Sequence, residues 1–154
     1  MKLNQFTDIG IRALIYLAQP SSEVTITIEK MANELQVSRN HLVKVIHFMG
    51  KKGWLITSRG KGGGVKLTNS LNQYYIGDVI RTLEEYNSPS PHLINCHSPE
   101  CILQEFCGLP NLLSKALFQF YSLLNQYTLQ DVAYNQSGLM LLKQNLAIDV
   151  VTID

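Results

Sequence analysis

Outside one window of twelve residues the sequence contains no cysteine at all. Cys96, Cys101 and Cys107 are the whole set, and they lie together in NCHSPECILQEFCG, Asn95 to Gly108. An odd number of clustered thiols is a poor disulfide framework and points to reduced cysteines with chemistry to perform. Long apolar runs are missing too. The run IGIRALIYLA is broken by Arg12, is too short to span a bilayer and has no small-residue cleavage site after it. The expectation is a cytoplasmic chain with no membrane partner. Cationic side chains become scarce after residue 66: residues 67–154 hold three Lys and Arg against eight Asp and Glu, a net of −5. Residues 1–66 hold ten against four, a net of +6, although the whole chain is only +1. A polyanionic partner would therefore meet the first half alone. There is no internal repeat and no low-complexity tract. His41 and His47 have no serine or carboxylate in an obvious catalytic motif, which argues against an enzyme. With 154 residues, 45% of them hydrophobic, the chain can bury a core as one domain, or as a small domain with an extension.

What is present falls into a recognisable order. Residues 5–19, QFTDIGIRALIYLAQ, carry Phe6, Ile9, Ala13 and Tyr16 at helical spacing, with Ile11, Leu14, Ile15 and Leu17 beside them. A short helix so apolar on every side is a buried one, and Pro20-Ser21-Ser22 ends it. Thr27 is placed to cap a second helix with Ile28, Met31, Ala32 and Leu35 inside. After a turn at Gln36-Val37, Ser38 is placed to cap a third helix that ends at Gly53. Leu42, Val45, Ile46 and Met49 form its inner stripe. Its outer face carries Asn40, Lys44, His47 and Lys51, with Arg39 and His41 in the first turn. Two short helices with a tight turn, the second basic outside and apolar inside, read as a helix-turn-helix whose second helix enters the major groove.

Trp54 to Ser58, WLITS, alternates as a strand. RGKGGG, Arg59 to Gly64, follows, and Val65 to Leu67 returns. Because a strand and not a helix follows the glycines, this is a hairpin and not a nucleotide cradle. Directly after a helix-turn-helix, a basic hairpin is a wing. Arg59 and Lys61 are positioned to reach phosphates or a minor groove, and Gly62 and Gly63 let the backbone come close. Ile76 to Tyr86 resumes helical spacing and should pack under the wing. Asn87-Ser88-Pro89-Ser90-Pro91 is a stiff connector. From about Pro110 a long helix carries Leu113, Leu117, Phe120, Leu124 and Tyr127 as a heptad seam, widened by Leu112, Ala116 and Leu123. Apart from the helix of residues 5–19 the chain has little to cover this seam, so a twofold dimer is the simpler way to bury it. Paired reading helices about 34 Å apart would suit a palindromic operator in double-stranded DNA.

The expected fold is mainly α with a small β-hairpin. It comprises a winged helix-turn-helix domain over 1–86, a cysteine loop over 87–108, a dimerisation helix over 109–132 and a tail over 133–154. The DNA-binding set is Ser38, Arg39, Asn40, His41, Lys44, Arg59, Lys61, Gly62 and Gly63. The cysteines are spaced Cys-x4-Cys-x5-Cys. Thiolates are soft ligands for zinc or iron–sulfur clusters. Zinc would need a fourth ligand, which His92 or His97 could supply. The wide loops and the missing fourth cysteine fit a larger cluster better. A metal-free thiol switch and plain buried cysteines are the other readings.

LNQFTDIGIRALIYLA, SRNHLVKVI, RGKGGG, IGDVIR and the three-cysteine loop, taken in that order over residues 1 to about 132, resemble the NsrR-type nitric-oxide-sensing repressors. These belong to the bacterial winged-helix regulator family that also includes the IscR type. The spacing resembles the NsrR type more than the IscR type, where both gaps are usually five. Pro110 stands where IscR-type proteins place a histidine. The resemblance implies a homodimeric repressor with an iron–sulfur cluster, 2Fe–2S or 4Fe–4S, held by Cys96, Cys101 and Cys107. It also implies a fourth ligand from Asp8 of the partner subunit, and nitric oxide as the effector. On that reading, loss of the Asp8 bridge moves the two readers and frees the DNA. The other reading of the same features is an iron–sulfur or zinc regulator that responds to cluster supply, iron or redox state.

Overall fold

The computed structural model describes residues 2–19, 25–58, 60, 62–86, 93–97 and 99–133. The chain breaks expected at Pro20-Ser21-Ser22 and over Asn87–Pro91, and the tail from residue 134 onward, lie outside the described residues. Helix α1 spans Gln5–Leu17. Asn4 caps it, its side chain accepting from the Thr7 N–H at 2.9 Å. Phe6, Ile9, Ala13, Leu14 and Leu17 are buried, as the helical spacing demands.

Helix α2, Ile28–Glu34, starts at Thr27, whose hydroxyl accepts from the Lys30 N–H at 3.2 Å. It ends in a two-bond cap: the Gln36 N–H donates to Asn33 O at 3.2 Å and the Val37 N–H to Ala32 O at 3.0 Å. That cap needs a left-handed residue, and Gln36 supplies it at φ 53°. Helix α3, Arg39–Lys51, ends in the same way, with Gly53 at φ 74° in the left-handed place. The inner stripe of α3 is fully buried: Leu42, Val45 and Met49 at 0% exposure and Ile46 at 2%. Ser38 occupies the cap position of α3, but its hydroxyl makes no cap bond. The first turn is closed instead by the backbone, Leu42 N–H to Ser38 O at 2.9 Å. The Tyr16 hydroxyl donates to the Glu34 carboxylate and so ties α1 to α2. Burial first, then that hydrogen bond and the Glu34 charge, push Tyr16 up to about 12.

Strands β1, Leu55–Ser58, and β2, Gly64–Leu67, pair antiparallel with Leu55 opposite Leu67 and Ser58 opposite Gly64. A third piece joins them: Ile26 bridges Val65, with the Val65 N–H donating to Ile26 O at 2.8 Å. The base of the hairpin is held by Tyr74, whose hydroxyl donates to Trp54 O at 2.8 Å and accepts from the Asn69 N–H at 3.0 Å.

Helix α4, Ile76–Glu85, buries Ile76, Val79, Ile80 and Leu83. It packs chiefly on α1 and α5. The reason is two small residues. A Cβ on Gly77 would stand 2.3 Å from Tyr121 O, so α5 sits closer than any side chain would allow, and one on Gly10 would stand 2.8 Å from Leu83 Cδ1, so the Leu83 side chain packs directly on the α1 backbone. Helix α5, Leu109–Leu124, has Pro110 in its first turn. It is covered on one side by α4, which the sequence reading had not offered as its cover. It stops before Tyr127, so the expected seam loses its last member. Thr128 then caps α6, Leu129–Ala133: its N–H and its hydroxyl both donate to Asp131 Oδ2 at 2.7 Å, and these bonds lower the Asp131 pKa. Leu129, 1% exposed, returns to the core of the winged domain.

A left-handed non-glycine residue costs about 1–2 kcal/mol. Gln36→Gly is therefore expected to raise the unfolding free energy by about 1 kcal/mol, after the entropy lost by glycine is counted. Urea unfolding measures it; an unchanged or lower midpoint would show that Gln36 is not strained.

Candidate functional site

Helix α3 presents its polar face to solvent because its apolar stripe is consumed by the core. Ser38, Arg39, Asn40, His41, Lys44, His47 and Lys51 are all exposed. Between this face and the wing lies a cleft of about 430 Å³, lined by Arg39, Val43, His47, Thr57, Ser58 and Gly60 among others. The wing tip turns through Gly60 at φ 94° and Gly62 at φ 86°, closed by Gly63 N–H to Gly60 O at 2.9 Å. The Thr25 hydroxyl donates to Gly62 O at 3.1 Å and the Gly64 N–H to Ser58 Oγ at 3.2 Å, so the tip is fastened at both sides. Gly62 is exposed and Gly63 half-buried. Arg59 and Lys61 lie outside the described residues. Thr57 and Ser58 were not among the expected DNA-facing residues, though the alternation of WLITS turns one polar side chain outward.

The cysteine loop is a chain of turns. Cys101 N–H donates to Cys96 O at 3.0 Å, Gln104 N–H to Cys101 O at 3.1 Å, and Phe106 N–H to Leu103 O at 3.0 Å. All three thiols are free and half-buried. Cys96 and Cys107 line one pocket of about 230 Å³ at the start of α5, together with His97, Gln104, Asn111 and Ser114. Cys101 stands on the adjoining turn and does not line it. Pro110 does, at the position where a histidine ligand would sit in the IscR type. His92 lies outside the described residues. Among the described residues no three His, Cys, Asp or Glu side chains are gathered as a finished metal site. The donors nevertheless fit an iron–sulfur group: soft, unpaired sulfurs, two facing one hollow and the third a hydrogen bond away along the backbone.

Asp8 lies in the first turn of α1, far along the sequence from the loop. Its carboxylate faces Arg12: Arg12 Nε donates to Oδ1 at 3.0 Å and Nη2 stands 2.9 Å from Oδ2. The loop itself is richly apolar and bare, with Ile102 93% and Phe106 88% exposed. Helix α5 has no buried residue at all.

A basic reading helix, a fastened glycine wing and a cysteine pocket on the following helix define a winged helix-turn-helix regulator of transcription. The Rrf2 family profile, described as an iron-dependent transcriptional regulator, matches residues 3–135. Over 140 residues the chain is 41% identical to the HTH-type transcriptional regulator NsrR of Bacillus licheniformis, covering 88% of this chain and 94% of that one. The fold is shared with T. potens IscR, at a TM-score of 0.66 and 23% identity over 86% of this chain and 85% of that one. It is shared too with the oxidized form of Staphylococcus aureus CymR, at 0.68 and 23% over 88% and 98%. The chain belongs to the Rrf2 family of iron-dependent transcriptional regulators and is a DNA-binding protein, not an enzyme.

Three free, half-buried thiols make a direct expectation. Reduced, metal-free protein should titrate three thiols per chain with a thiol reagent without denaturant; two or fewer would mean a cysteine shielded from the reagent.

Proposed function

We propose that this chain is a cytoplasmic repressor that binds a palindromic operator as a homodimer and lets go when a nitric-oxide-sensitive iron–sulfur cluster is destroyed. One observation supports the reading: the pocket of Cys96 and Cys107 lies between the cysteine loop and the start of α5, a helix none of whose residues is buried within its own chain. Residues 1–86 read DNA, 87–108 form the cysteine loop, 109–132 hold the dimer together and 133–154 are a tail. Leu109, Leu112 and Leu123, 47–62% exposed, lie on the side of α5 that α4 leaves bare, and a second copy of the chain covers them.

Cys96, Cys101 and Cys107 hold the cluster, 2Fe–2S or 4Fe–4S, through their sulfurs, and Asp8 of the partner subunit completes the set. A bound cluster supplies iron that reacts with nitric oxide. Asp8 and Arg12 are about half exposed, 48% and 53%. An ion pair so placed contributes about 0–1 kcal/mol, so Asp8 loses little by leaving Arg12 for the partner subunit. Its oxygen would be the one hard donor beside three soft sulfurs in a set that holds the cluster. Because Asp8 belongs to the other subunit, its loss alters dimer geometry and with it the spacing of the two α3 helices. Similarity to a regulator named NsrR supports this reading over one based on cluster supply or zinc.

On the DNA, Ser38, Arg39, Asn40, His41 and Lys44 approach base edges and phosphates from α3. Arg59, Lys61, Gly62 and Gly63 approach from the wing. Protein purified without oxygen should be coloured and contain iron and sulfide, and Cys96→Ser and Cys107→Ser should each lose both. Colourless protein with one tightly held zinc per chain would overturn the reading. Against a duplex selected from random DNA, Lys44→Ala should reduce the salt slope of binding by about one; an unchanged slope would move the DNA face elsewhere.

A further inference from the structure

Three aromatic rings from three different elements meet beside the reading helix. Phe6 of α1 stacks on Tyr86, with centroids 4.0 Å apart and planes 12° from parallel. Phe48 of α3 meets Phe6 edge-on at 5.5 Å and Tyr86 at 5.0 Å. Phe6 and Tyr86 also form walls of a hollow of about 300 Å³ whose other walls include His41 and Lys44. Two side chains proposed to read DNA, His41 and Lys44, thus share a hollow with the rings that join α1 to the end of α4.

Two of the rings also have an address on the cluster side. Phe6 lies two residues before Asp8 on one unbroken helix, so the two move together. Tyr86 is the C-terminal cap of α4, and Cys96 follows it ten residues later in the chain. Phe48 is on α3 itself, so a shift of either other ring is felt by the reading helix through direct contact. Offset and edge-on ring contacts have narrow geometric preferences, and a stacked pair cannot slide without changing its edge-on neighbour.

We infer that Tyr86, stacked on Phe6 and packed against Phe48, is a positioning residue that couples the state of the cysteine loop to the placement of α3. It acts through Phe48 and the hollow it shares with His41 and Lys44. The inference rests on the function proposed above, because it supposes that cluster-loaded and cluster-free protein bind DNA differently.

Tyr86 is 47% exposed, so replacing it leaves the core in place. The test is the ratio of DNA affinities of the loaded and cluster-free full-length chain, on the selected duplex. Coupling between two sites in proteins is typically about 5–150-fold. Tyr86→Leu should keep its iron, its sulfide and its circular dichroism, while the ratio collapses to within about twofold. Tyr86→Phe, which keeps the stack, should keep the wild-type ratio. Phe48→Leu is a second variant with the same expected collapse. A wild-type ratio in Tyr86→Leu and Phe48→Leu overturns the inference, even if both forms bind DNA more weakly, since that pattern marks a structural or direct DNA role. Equal affinities of the loaded and cluster-free wild-type forms would instead overturn the proposed function and this inference with it.

Discussion

Helix α4 begins where α5 ends, and at Gly77 the two backbones touch. Any side chain there would put its Cβ 2.3 Å from the Tyr121 carbonyl oxygen. The contact is made specific by Asn125, which follows α5. Its side-chain oxygen accepts from the Asp78 N–H at 2.8 Å, and its amide donates back to Asp78 Oδ1 at 2.9 Å. Tyr75, the residue at the cap position of α4, makes no side-chain cap bond, so α4 receives its N-terminal partner from the next helix along. Ile76 N–H to Tyr127 O at 3.0 Å and Leu129 N–H to Tyr74 O at 2.8 Å close the junction from the other side. Arg81 lies over the Tyr121 ring at 4.7 Å. The result is a stiff joint between a DNA-reading domain and the helix that carries the cysteine pocket at its start.

Under the proposed function, that joint is the route by which the cysteine pocket would act on the DNA-facing helix. The reading helix is pinned by its own stripe, Leu42, Val45, Ile46 and Met49, to a core shared with α1. Helix α1 in turn lies against α4 across Gly10, and α4 lies against α5 across Gly77. Close-packed helices move as bodies and not as fluids. A displacement at the cysteine end therefore reaches α3 by rigid contacts. Under the proposed function, a second subunit would cover the apolar side of α5 that α4 leaves bare, since fully burying a leucine is worth about 1.5–3 kcal/mol.

Much of this was legible in the sequence wherever burial follows a simple period. The stripes of α1, α3 and α4, the capping by Thr27, the glycine stop at Gly53 and the hairpin between WLITS and its return strand all follow from local rules. Helix contacts set by the absence of a side chain were not. Gly10 and Gly77 read as weak helix residues until the neighbouring Leu83 and Tyr121 are in place, so α4 was expected under the wing. The Ile26 bridge to Val65 was invisible because a single paired residue has no period. Gln36 was read only as a turn; its left-handed backbone is imposed by the cap it closes. The run of family motifs identified the family, and the pairing of Asp8 with Arg12 follows from their spacing of one helical turn.

The most direct measurement follows cluster absorbance and operator binding together while nitric oxide is added to anaerobic, cluster-loaded protein on labelled DNA. Release of the duplex should track the loss of absorbance at the same nitric oxide dose. DNA still held after the absorbance has gone, or protein with no absorbance to lose, would contradict the account.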